Sequence, residues 1–239
     1  MQNPADPLSP PARPAFDEAR VLDALWQVVA TRGWSGVTFG RIAAESGLGL
    51  DSLRAHYGTP VALLVAHARA VDRQVLATTI PGQGGSARDR IFDLLMRRFD
   101  ALQPHRAGIL RLQSDLRRHP VLALSLSPLL MASMAWMLEG AEVDTSGARG
   151  LMRVQGLAGV WLAASRSWTG DNSMDLGPTM AALDKALDRA EQIARTLRLD
   201  DGDLSGAAPG GAAGTTPGGI VPGKVEAPSP PVNTDPMLG

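Results

Sequence analysis

The chain has 239 residues, of which 44% are hydrophobic and 20% charged, and its formal net charge is −1. That length holds one or two domains with a sizeable core, and the composition is that of a soluble globular protein. The balanced charge gives no bulk attraction to nucleic acid, so a DNA partner has to be argued from local geometry. Cysteine is absent, which excludes disulfides and thiolate metal sites and agrees with a reducing, cytoplasmic compartment.

Residues 1–15 carry Pro4, Pro7, Pro10, Pro11 and Pro14 and read as a disordered arm. Met1-Gln2-Asn3-Pro4 has no basic run followed by an apolar one, so no signal peptide is expected. Arg13 is the arm's only basic residue, which favours a loose tail over an arm for the minor groove. Ala24, Leu25, Val28, Val29 and Trp34 then supply a helix that ends at Arg32-Gly33. Two short helical patterns follow, Val37 to Glu45 and Leu50 to Tyr57, separated by Ser46-Gly47-Leu48-Gly49. Such a pair around a glycine turn is the sequence form of a helix-turn-helix. Thr38 caps the first helix, Ile42 and Ala43 turn its apolar side inward, and Gly47 supplies the left-handed residue between the two. Thr59-Pro60 opens the next helix, through Val61, Leu64, Val65, Ala68 and Val71. The run Pro81 to Gly85 sets the border, so residues 16–80 form a helix-turn-helix domain and 86–200 a larger helical domain.

In the second half, Ile91, Leu94, Leu95 and Phe99 make an apolar stripe with Arg88, Arg90, Arg97 and Arg98 near it. A shorter helix carries Ile109, Leu110, Leu112 and Leu116. Val121 to Leu138 has no charge, and its length touches the lower limit of ~17–25 residues for a membrane span. Ser125, Ser127, Ser133 and Pro128 within it favour a buried helix in the middle of the domain, and no transmembrane segment is expected. Ala148 to Trp168 is another apolar helix, with Gly156, Gly159, Ala163 and Ala164 allowing close helix approach. Thr179 to Leu197 carries Met180, Leu183, Leu187, Ala190, Ala194 and Leu197 at alternating steps of three and four, a coiled-coil-like seam. Residues 201–239 turn to Gly, Ala, Pro, Ser and Thr and read as a disordered tail. Gly218 to Val225 nearly spells a phosphate-binding loop. Val225 stands where Ser or Thr must hold magnesium, so the segment is a decoy.

The residues Ala24 to Gly33, Val37-Thr38, Ile42-Ala43, Ser46-Gly47-Leu48, Leu53, His56-Tyr57 and Leu63-Leu64 resemble the N-terminal domain of TetR/AcrR-type transcriptional regulators. The resemblance implies an all-α, two-domain protein with a three-helix helix-turn-helix head. It also implies a larger ligand-binding and dimerisation domain, whose last two long helices join in a homodimer. Double-stranded DNA is the implied partner. Thr38, Arg41, Gly49, Ser52, Arg54, Ala55, His56 and Tyr57 are the candidate DNA-binding residues. Tyr57 mainly packs, and Arg54 reaches a guanine edge or a phosphate. The sequence departs from the family where Gly49 replaces Ser or Thr, Asp51 a small residue, Arg54 a Tyr and Pro60 a Lys. Asp51 puts a carboxylate at a helix start that would otherwise welcome phosphate.

Met137-Leu138-Glu139, Gly150 to Leu157 and Trp168 to Asp175 resemble the C-terminal region of a ubiquinone-biosynthesis family with a TetR-like fold that binds lipid and not DNA. A small hydrophobic ligand or lipid is therefore expected, with Phe99, Met131, Met134, Trp136, Met137 and Trp161 as candidate contacts. Met and Trp at helical spacing fit plain core as well as a pocket. Catalysis is not expected. His56, His67, His105 and His119 lack metal-ligand spacing, no nucleophile elbow is present, and Asp184 and Asp188 lie on a charged helix face. No catalytic residue, metal or cofactor is assigned. The sequence reads as a ligand-responsive TetR-type repressor. The alternative is a lipid- or isoprenoid-binding accessory protein of ubiquinone biosynthesis that does not bind DNA.

Overall fold

The structure, a computed structural model, describes residues 16–82 and 85–196. The expected arm 1–15, the tail 201–239, the Gly218–Val225 decoy and Leu197 of the seam lie outside them. Among the described residues all regular structure is helical: α1 Glu18–Arg32, α2 Phe39–Ser46, α3 Leu50–His56, α4 Pro60–Ala77, α5 Ala87–Leu102, α6 Arg106–Leu116, α7 Pro120–Gly140, α8 Gly147–Gly170 and α9 Gly177–Thr196.

The helix ends follow from local chemistry. Asp17 accepts the Arg20 amide at 3.3 Å and caps α1, whose last turn ends where Gly33 takes a positive φ of 70°. Ser86 and Asp89 form a reciprocal capping box at the start of α5. Pro60 occupies the first turn of α4, where its missing amide costs nothing.

Two hydrophobic cores result, and α4 belongs to both. Its first half sends Leu63 and Leu64 into a core with Val21, Leu25, Ile42 and Leu53. Its second half sends Val71 and Val75 into a larger core with Leu95, Phe99, Met134 and Trp168. Leu112 of α6 joins the first core, and Leu122 and Leu126 of α7 pack against it. The head therefore rests on helices from the second half, and the described residues belong to one compact unit.

α7 departs from the reading of it as a helix buried on all sides. Only Ser133, Met134, Met137 and Leu138 are buried, while Val121, Leu124 and Trp136 are 82%, 74% and 59% exposed. The helix lies along the surface, and its inward residues alone supply packing. It is the one helix among the described residues long and apolar enough to cross a membrane. It runs unbroken through Pro128. That proline cannot donate to the Leu124 carbonyl, and the Ser127 hydroxyl bonds the same oxygen at 2.8 Å.

The corner between α8 and α9 is built on Asp171. Its carboxylate accepts the amides of Ser173 and Thr179, each at 3.0 Å, and the hydroxyls of both residues. The Ser173 and then the Thr179 hydroxyl bonds hold its pKa well below the usual carboxylate range. Arg106 adds a cation at the end of α8, donating to the Trp168, Thr169 and Asp171 carbonyls at 3.0, 3.3 and 2.7 Å.

Candidate DNA-binding surface and the interior behind it

The turn between α2 and α3 has the geometry that its glycine demands. Gly47 sits at φ 69°, ψ 15°, left-handed, and its amide closes α2 by donating to the Ala43 carbonyl at 2.9 Å. Thr38 caps α2 by accepting the Arg41 amide at 3.3 Å. Ile42 and Leu53 are fully buried and fix how the two helices cross.

On the outer side Thr38, Arg41, Gly49, Arg54, Ala55 and His56 are exposed, Ser52 is half-buried and Tyr57 is buried. Seven of the eight expected contact residues thus keep some access to solvent. Tyr57 instead rivets the end of α3 to α1, its hydroxyl donating to Glu18 Oε1 at 3.3 Å. Burial, and then the Glu18 charge, raise that hydroxyl's pKa to about 12. His56 is held from two sides: Nδ1–H donates to the Ser52 carbonyl at 2.8 Å, and Phe16 stacks on the ring at 3.6 Å and 4°. Arg41 donates to the Gly36 carbonyl, which ties it to the turn before α2. Phe16 escaped the sequence reading, because a single aromatic next to a proline-rich arm carries no periodic signal.

Two departures from the resembled family, Gly49 and Asp51, lie against each other. A Cβ added at Gly49 would collide with Asp51 Oδ1, because the Asp51 carboxylate folds back over the N-terminal end of α3. Gly49 has a φ of −70°, which any residue adopts, and the exposed Asp51 carboxylate could turn aside from a side chain placed there.

The expected ligand residues do not face one cavity. Phe99, Met134 and Met137 are fully buried, Trp161 is nearly so and Met131 is half-buried, whereas Trp136 points outward. Phe99 stacks on Trp161 with centroids 4.4 Å apart, and the Arg98 guanidinium lies 5.3 Å from the Trp161 ring centre. Arg98 pairs with Asp72, whose second oxygen accepts the Ser133 hydroxyl at 2.7 Å, all three side chains being buried. This buried ion pair was missed, although its signal was present. Arg98 continues the Ile91, Leu94, Leu95 register of α5, and Asp72 lies between Val71 and Val75 of α4. An apolar groove of about 490 Å³ lies elsewhere, between α5, α8 and α9, and its lining includes Leu138, Met152, Gly156, Gly159, Leu187 and Ala190. Arg88 spans α5 and α9 beside it, donating to Asp184 at 2.7 Å and Asp188 at 2.5 Å. That contact gives the two carboxylates a structural role.

Between head and body sits an aromatic junction. His67 of α4 meets Trp26 of α1 edge-on at 4.8 Å and His105 at 5.2 Å, and His105 Nε2–H donates to Asp23 at 2.8 Å. Burial, followed by the charges of His105 and Arg98, lowers the His67 pKa to about 3. α6 approaches α1 closely beside this junction. A Cβ on Gly108 would lie 2.7 Å from the Trp26 carbonyl oxygen. Among the described residues no three His, Asp or Glu side chains are placed to hold a metal.

No family model matches the chain, and no curated protein matches it either. Solved structures do. A TetR transcriptional regulator from Nitrosomonas europaea ATCC 19718 aligns with a TM-score of 0.59 at 20% identity, over 73% of this chain and 98% of its own. A TetR transcriptional regulator from Rhodococcus sp. RHA1 aligns with a TM-score of 0.53 at 16% identity, over 72% of this chain and 93% of its own. At such identities the likeness is one of fold: this chain has the all-α fold of TetR regulators.

Proposed function

We propose that this protein is a DNA-binding transcriptional regulator that works as a homodimer and answers to a hydrophobic ligand. The observation that carries the reading is the α2–Gly47–α3 unit. It is rigidly seated on α1 by Ile42, Leu53 and Tyr57, while Arg54 and His56 face outward from the short second helix. A helix-turn-helix of this kind sets its second helix in the major groove, with phosphate contacts fixing the register. The close approach of α6 to α1 supports ligand response, since a shift of α6 in the body bears on the head. Asp51 lowers affinity for any duplex, because its carboxylate lies where phosphate would approach the start of α3.

The test is a titration of selected and scrambled duplexes at two salt concentrations. Arg54→Ala costs about 1–3 kcal/mol at one base position if Arg54 grips a base edge, and weakens all duplexes alike if it grips phosphate. Asp51→Gly tightens binding in either case. If neither the wild type nor Asp51→Gly binds any duplex, the regulator reading fails.

A second reading, a lipid- or isoprenoid-binding accessory protein without DNA binding, is supported by the open apolar groove beside α8 and α9 and by the carboxylate of Asp51. Extraction and mass spectrometry of lipid that co-purifies with the chain distinguish it from the first.

A further inference from the structure

The groove beside α8 is one exposed apolar surface of this chain, and α7 carries a second that neither reading above uses. Val121, Leu124, Pro128, Ala132 and Trp136 are all exposed, and their steps of three and four place them on one face of the helix. The stripe runs about 22 Å. The opposite face is occupied: Leu122 and Leu126 pack on the head's core and Leu130 on the body's, which Met131 and Ala135 also reach along one edge of the stripe. α7 therefore cannot cross a bilayer without tearing both cores open, and can only lie along one.

We propose that the outer face of α7 docks on a membrane surface that carries anionic lipid. Three observations favour that occupant. Arg117, Arg118 and His119 are exposed at the helix start, no Asp or Glu follows until the exposed Glu139 beyond Trp136, and the surface is thus apolar with a basic end that outweighs the single carboxylate at the other. Apolar burial combined with attraction to anionic headgroups is how a helix binds in the interface plane. At the other end Trp136 is exposed, and indole rings prefer the headgroup level. The hydroxyls along the helix are already satisfied as well. Ser125 and Ser127 each donate to a carbonyl of the previous turn, Leu122 and Leu124, at 2.8 Å. Their removal from water is thus cheap, where free hydroxyls would resist it.

The experiment is flotation of the full chain with vesicles of phosphatidylcholine alone and of phosphatidylcholine mixed with phosphatidylglycerol. The wild type binds the mixed vesicles, and binding weakens as salt is raised. Arg117→Glu with Arg118→Glu cuts binding roughly tenfold or more. Val121→Asp with Leu124→Asp abolishes it while the melting curve and dimer state stay unchanged, because both side chains are already in water. Trp emission shifts to the blue on the mixed vesicles, and Trp136→Phe removes the shift. Binding that follows the anionic lipid content and the salt concentration, and not the amount of lipid as such, separates surface docking from capture of single lipids in the groove beside α8. The proposal is overturned if the wild type floats with neither vesicle, or if the α7 variants bind as the wild type does. It is equally overturned if Val121→Asp with Leu124→Asp splits an oligomer, which would make the stripe a contact between copies of the chain.

Discussion

Asp72 and Arg98 stand at positions where their helices otherwise present apolar side chains, and each is tolerable only because of the other. Asp72→Ala leaves a guanidinium buried under Trp161 with no counter-charge, at a cost of about 3–5 kcal/mol. Asp72→Leu combined with Arg98→Met restores most of that stability, since neither charge is then stranded; urea unfolding of the three proteins checks both outcomes. His67 makes a pH-dependent contribution. Its folded pKa of about 3 lies below the unfolded value of ~6.5, so between those values the unfolded chain binds a proton that the folded chain does not. Stability from this residue is therefore full above pH ~6.5 and is lost as pH falls toward 3. By pH ~4.5 the loss is roughly 2–3 kcal/mol. His67→Gln removes that part of the slope, and denaturant melts at neutral and acid pH compare it with the wild type. Such residues are hard to see in a sequence. Periodicity reports which face is inward and treats a charge on that face as an exception, although here the exception is paired across two helices.

At the scale of elements, the local signals were the legible ones. Thr38, Gly47 and Pro60 each carry out the capping or turn role their chemistry dictates, and the helix-turn-helix and the helix after it could be read from them. α7 was misjudged for a physical reason. A run without charges reports low solubility of the helix but not which side its neighbours cover, and coverage depends on where α4, α6 and α8 lie. The sharing of α4 between two cores was hidden for the same reason, since its heptad-like pattern is continuous across the change of partner. Gly108 shows what a lone glycine in the first turn of a helix can signal. Its missing Cβ lets α6 touch the Trp26 backbone, which cannot move aside as a flexible side chain would. Gly108→Ala should push α6 off α1 and destabilise the fold by about 1–3 kcal/mol, despite the better helix propensity of alanine. It should also weaken any effect of a body-bound ligand on DNA affinity, which a titration with and without that ligand would register.

For the whole molecule the decisive question is whether two chains meet across α8 and α9. Within one chain, Leu183 and Leu187 of the seam are already buried against the body, so the seam is partly spent. What stays open is a face with Leu151, Met152, Leu162, Met180 and Ile193 exposed around Gly156 and Gly159. A Cβ added at either glycine meets nothing within 4 Å, so neither glycine serves packing inside the chain. Gly159→Ala should then raise the stability of the single chain by about 0.5–1 kcal/mol, the ordinary gain from removing a mid-helix glycine. Gly159→Leu should also fold, because its side chain enters empty space, yet the same side chain would hold a second chain away. In sedimentation the wild type should be a dimer at micromolar concentration and Gly159→Leu a monomer with an intact helical spectrum. A regulator that grips two half-sites about 34–36 Å apart loses its joint engagement when the dimer splits, which weakens operator binding by roughly 10²–10⁴-fold without touching α3. Arg54→Ala should give the complementary result, a dimer with damaged recognition. A wild type that sediments as a monomer, or a Gly159→Leu variant that stays dimeric, would remove α8 and α9 as the dimer interface.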